Sequence, residues 1–133
     1  MSNLHSLIPD ANQFISLEQA IAMTSLYRKE KENILVPDMR DKGILPICET
    51  FNREAFDFLL NEAGCVGIRI YLGMDETFKV KVIAVGVNDK NEDMLPPLNA
   101  AASRSEDASN PDDVIVENGQ RCPTDCPPDS PLN

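Results

Sequence analysis

Tryptophan is absent from this chain, histidine occurs once, and aromatics make up only 5% of its 133 residues. Each shortage closes something off. With two Tyr and five Phe, a core has to come from aliphatic side chains and a few Phe. The single histidine, His5, lies in an irregular lead-in (1–15) broken by Pro9, Asp10 and Asn12. A histidine-dependent triad would have to recruit it from an unanchored end, and no serine sits in a nucleophile elbow. Gly64, Gly67, Gly73 and Gly86 stand singly and build no phosphate-cradling loop. Glu49, Glu54, Asp57 and Glu62 spread around one predicted helix, which suits solvent better than paired acid catalysis. No catalytic residue and no cofactor is expected.

Long apolar runs are missing too, so no segment is expected to span a bilayer. No basic run precedes an apolar stretch near Met1, so no secretory signal is expected. A cytoplasmic location is then the default, where the four cysteines stay mostly reduced.

What the chain has in excess is acid, with a formal net charge of -10. That charge opposes phosphate backbones and anionic membrane surfaces, so neither nucleic acid nor membrane is expected as a partner. The length suits one domain, which at this size buries about two thirds of its unfolded surface. Pairing with a copy of itself would help such a domain, so the expected partner is a second copy, in a dimer, or another protein.

The α+β core is expected over 16–89. Ser16 and Gln19 form a capping-box pair, Ile15 can staple the start, and Leu17, Ala20, Ile21, Thr24 and Tyr27 recur at helical spacing. The spacing predicts a helix over 17–33, with Pro37 beyond it. The run 44–48 is an edge strand at best, because Pro46 interrupts it. Asn52 can cap a second helix over 53–63, ended by Gly64. Its Phe56, Leu59, Leu60 and Ala63 share a face and Phe58 lies off it, which predicts burial on more than one side.

The clearest strand follows. Val66, Ile68, Ile70 and Leu72 alternate with Gly67, Arg69, Tyr71 and Gly73. After a turn at 74–76, a second strand over 77–87 completes an antiparallel hairpin. Both its faces turn apolar from Ile83 to Val87, which predicts a bulge or burial on two sides. The order of elements implies a two-layer sandwich, two helices packed on a small antiparallel sheet.

From Lys90 the composition shifts. Seven of the ten prolines lie beyond residue 95, and nine acids face three basic residues. The segment 90–133 reads as an acidic Pro-rich extension, with a linker over 99–111 and a β-prone island near 114–117 that could add an edge strand.

Two clusters invite a functional reading. Cys122 and Cys126, with three residues between them in a Pro-rich run, could chelate a soft metal, close a small bridge, or remain free thiols in a turn. A zinc knuckle normally has a two-residue gap and a second ligand pair, for which only Cys48, Cys65 and His5 remain. A thioredoxin-type site needs its cysteines at a helix N-terminus, a setting the prolines oppose. The second cluster is Arg69 and Tyr71 on one strand face, with Lys79 and Lys81 across the hairpin. It could bind an anion or an acidic peptide, be an ordinary solvated face, or be clasped by the acidic extension.

The combination of Leu26-Tyr27-Arg28, Phe51-Asn52, the strand 67–71, Cys122-Pro123 and Cys126-Pro127 before Pro131-Leu132-Asn133 resembles a group of small uncharacterised bacterial proteins. The likeness spans most of the chain from Ser16 onward. It implies no activity, and no residue role comes with it. The residues thus point to a non-enzymatic interaction or assembly protein, probed against a thiol-based metal or redox protein using Cys122 and Cys126.

Overall fold

The computed structural model describes residues 12–96 and 115–133. His5, most of the lead-in and the linker over 99–111 lie outside them. The described residues form an α+β fold with two helices and two antiparallel sheets. They gather into two compact units interleaved in sequence, where length alone points to one core. One holds Phe51–Leu72, 82–96 and 115–118; the other holds 12–50, Gly73–Lys81 and Gly119–Asn133. No helix among the described residues is long and apolar enough to cross a membrane.

In the second unit, helix α1 (Leu17–Glu30) starts where Ser16 dictates. Ser16 Oγ accepts from Gln19 N at 3.0 Å, and Gln19 Oε1 accepts from Ser16 N at 2.9 Å, so the capping box closes. The helix stops three residues short of the expected end. Past Glu30 the backbone tightens into i→i−3 bonds, Asn33 N to Glu30 O and Leu35 N to Glu32 O. Glu32 leaves the helical course and accepts from Asp41 N at 2.6 Å. Tyr27 donates its hydroxyl to Pro46 O at 2.6 Å, and burial is the main cause raising its pKa above the ordinary tyrosine value.

After a 3-10 turn (Pro37–Met39), strand β1 (Cys48–Thr50) begins only past Pro46, which has no N–H to give a ladder. It pairs antiparallel with β6 (Gln120–Cys122), with Cys48 opposite Cys122 and Glu49 opposite Arg121. Nothing in the composition of Gln120-Arg121-Cys122 announces a strand.

The first unit contains α2 (Arg53–Leu60), β4 (Asp93–Met94), β5 (Ile115–Val116) and most of the hairpin β2 (Gly67–Met74) and β3 (Val80–Val87). Asn52 occupies the N-cap of α2 with extended backbone, but its side chain makes no capping bond. The helix ends at Leu60 and buries only Leu59, at 1% exposure, while Phe58 and Leu60 stay exposed. Burial on more than one side is therefore not what forms.

Strand β3 is central. β2 lies beside it, Gly86 and Val87 pair with Met94 and Asp93, and Ala84 and Val85 pair with Val116 and Ile115. Paired so, Ala84 to Val87 are buried on both faces, which accounts for their unbroken apolar run. Gly86 is required by space, since a Cβ there would lie 2.9 Å from Cys65 Sγ.

Candidate functional site

Strand periodicity puts Arg69 and Tyr71 on one face of β2. What meets them is set by the turn after β3. Asn88 Oδ1 accepts from Lys90 N and Glu92 N, both at 3.0 Å, and Asn91 takes a left-handed φ of 65°, a conformation asparagine tolerates. The chain reverses and sets Asp93 opposite Val87. Arg69 Nη1 then donates to Asp93 Oδ1, its Nη2 donates to Asn91 Oδ1 and, at 3.1 Å, to Asn91 O, and Tyr71 donates its hydroxyl to Asp93 Oδ2. One carboxylate thus holds both side chains.

The electrostatics follow from these bonds. The Tyr71 hydroxyl, then the Arg69 guanidinium, hold the Asp93 carboxyl below its ordinary range. The bond that Tyr71 makes to Asp93 is the main cause raising its phenol, and the bond that Arg69 makes to Asp93 is the main cause raising Arg69. Near neutral pH the cluster is an ionised Asp, a cationic Arg and a neutral Tyr. Asp93 belongs to the acidic stretch that starts at Lys90.

Lys79 and Lys81 belong to the second unit, at the hairpin tip. There Asp75 Oδ1 accepts from Thr77 Oγ1 at 2.6 Å, Thr77 N at 2.8 Å and Lys79 N at 3.1 Å. Lys81 Nζ lies 4.0 Å from Asp75 Oδ2. The hydrogen bond from Thr77 is the main cause holding the Asp75 carboxyl below its ordinary range. Within its own unit, then, Asp93 takes the side chains of Arg69 and Tyr71, while Asp75 takes the backbone N–H of Lys79 and lies near the Lys81 ammonium.

The opposite face of β2 carries the aliphatic row, and most of that row is exposed. Ile70 is 51% exposed and Leu72 75%, with Val66 and Met74 also exposed. Among the described residues, six apolar side chains are buried while eighteen large hydrophobics are exposed. Single exposed hydrophobics are ordinary; a row at i, i+2 along one strand is a patch.

Cys122 and Cys126 are drawn together as a disulfide, with Cα atoms 4.5 Å apart. Cys48 and Cys65 are free thiols, and Cys65 Sγ lies 3.3 Å from Gly67 O. No group of three His, Cys, Asp or Glu suited to a metal occurs among the described residues. Next to Cys122, Arg121 is 7% exposed and its guanidinium donates to four carbonyls, Gly43 O at 2.7 Å, Ile44 O and Val80 O at 2.9 Å and Pro123 O at 3.3 Å. Sequence reasoning did not single out Arg121. Its only signal was a lone basic residue between a glutamine and a cysteine in an otherwise acidic stretch.

Comparison of the chain with protein-family models, with curated proteins and with solved structures finds no match.

Proposed function

We propose that this chain is a non-enzymatic protein-interaction or assembly module, cytoplasmic, whose partner is a second copy or another protein. The exposed aliphatic row of β2, Ile70 and Leu72 above all, carries this reading. Burying an Ile or Leu side chain gains roughly 1.5–3 kcal/mol, so a partner packed beside or over that row recovers part of what the isolated chain leaves in water. Arg69 and Tyr71, already engaged by Asp93, present a preset polar rim to the same contact.

Sedimentation velocity over a concentration series tests the reading. The native chain is expected to sediment as an assembly, and a chain carrying Ile70→Lys and Leu72→Lys as a folded monomer. A native chain that stays monomeric at every concentration and binds no partner would overturn it.

A second reading, a thiol-based redox or metal protein, draws on the pairing of Cys122 with Cys126. Intact mass of the protein purified without chelator tests it. A loss of two hydrogens reversed by reductant, or a metal adduct, would support it. Four thiols labelled at the rate of exposed free cysteine would remove it.

A further inference from the structure

We propose that two copies of this chain pair antiparallel along β2, with Ile70 facing Ile70 across a two-fold axis, joining the two four-stranded sheets into one. The proposal rests on the interaction-module reading above and names its partner, its element and its register.

The first observation is position. Among the described residues β2 is the outer strand of its sheet, eight residues long, with β3 on one side. An outer strand of that length offers a row of backbone donors and acceptors to another chain. Proteins that keep such an edge apart do so with lysine, proline, inward charges or very short strands. β2 contains no lysine and no proline, and its one charged residue is Arg69, neutralised by Asp93 of the same copy.

The second observation is the symmetry of the strand's own sequence. Read outward from Ile70, each step meets a matching partner. Arg69 on one side answers Tyr71 on the other, Ile68 answers Leu72, and Gly67 answers Gly73. An antiparallel pair of identical strands centred on residue 70 brings these residues opposite one another twice, once on each side of the axis. Ile70 meets its own copy, and Ile68 meets Leu72, so the apolar row continues across the seam. On the other face Arg69 meets Tyr71 of the second copy, a cation beside an aromatic ring. Glycines face each other beyond. Cross-strand pairs of these kinds are the units that stabilise a sheet.

Alternative registers lose this match. A shift by one residue puts Arg69 opposite Ile70 or Leu72 and turns the apolar row toward the polar face. A centre on residue 69 sets two guanidinium groups opposite each other, which is destabilising, and a centre on residue 71 keeps the apolar row but sets Arg69 opposite Gly73 in place of the Tyr71 ring. The strand's symmetry therefore favours itself as partner and a centre on residue 70 as register.

Cysteine cross-linking of the full chain reads the register directly. Directly opposed residues in an antiparallel pair have Cα atoms about 4.5–5.5 Å apart, within disulfide reach. In Leu72→Cys the two copies of position 72 would be offset by four residues, about 14 Å. Under mild oxidation, with linked peptides identified by mass spectrometry, Ile70→Cys is expected to bridge through position 70. Leu72→Cys is expected not to bridge to itself, and an equal mixture of Ile68→Cys and Leu72→Cys chains is expected to bridge through 68 and 72. Ile70 is half exposed, so the thiol fits without disturbing a core, and circular dichroism of each variant checks the fold. A measurement on the native chain accompanies it. Amides of 68–72 are expected to exchange faster on dilution below the assembly range.

A 72-to-72 link as ready as a 70-to-70 link would overturn the proposed pairing. So would a native assembly with no link at either position, or amides whose exchange ignores dilution because the same chain covers the edge. In those cases the module reading stands with its contact elsewhere. A native chain that never assembles overturns both.

Discussion

The two compact units are held by different physics. In the first, aliphatic burial dominates: Leu59 of α2 and Ala84, Val85 and Val87 of the doubly covered β3 form the core. The second buries only Ile44 and Cys122 among its hydrophobics and relies on polar fasteners. Arg121 gathers the carbonyls of three segments, Tyr27 reaches Pro46, the capping box fixes the start of α1, and Cys122 bonds to Cys126. A chain poor in aromatics cannot fill two cores with bulk. Where apolar volume runs out, a buried fork of five donors organises the backbone in its place.

That contrast can be broken from either side. The largest expected effect is Leu59→Ala, which removes a fully buried side chain from the first unit and should cost about 2–5 kcal/mol. Urea unfolding should show the loss in probes of β3. Arg121→Met should cost roughly 2–4 kcal/mol by stranding buried carbonyls, an effect seen in the second unit. If Leu59→Ala and Arg121→Met loosened both units equally by hydrogen exchange, the contrast would be wrong. Gly86→Ala, forcing a Cβ against Cys65 Sγ, should cost about 1–3 kcal/mol in the first unit. Ser16→Ala, which opens the capping box, should cost about 1 kcal/mol and fray α1.

The smallest effect is in pH. Asp93 has a folded pKa below its unfolded value, so its contribution is fully present above the unfolded pKa of about 3.8 and is lost as pH falls through the folded value. Tyr71 has a folded pKa above its ordinary 10.0, so its contribution is present below that value and is lost as pH rises through the folded one. The groups facing them are Arg69 on the same strand and Asn91 in the turn. The stability profile of Asp93→Asn should therefore lose part of the acid-side slope of the native profile and keep its shape between those limits. An unchanged acid limb would remove Asp93 from the account.

How much of this was legible beforehand depends on range. The α1 start and the alternation of β2 rest on interactions within three or four residues, and the sequence shows both. The doubly buried end of β3 is written in its unbroken apolar run. Side-chain spacing overshoots both helix ends, because Glu32 and the turn after Leu60 answer to backbone tightening that spacing does not encode. The Arg69–Tyr71 pair was visible from period two, but Asp93 as its holder depends on a turn closed by Asn88 and Asn91. Arg121 was invisible, since three of its four partner carbonyls lie 41 to 78 residues away. The exposure of Ile70 and Leu72 was hidden for the opposite reason. Alternation says which residues share a face, and only the fold says whether that face is covered.

The most direct test of the central claim is native mass spectrometry of the full chain beside its Ile70→Lys variant. A species at twice the 14.7 kDa chain mass is expected for the native protein, and the single-chain mass for the variant. A native protein found only at the single-chain mass, or a variant that remains double, would contradict it.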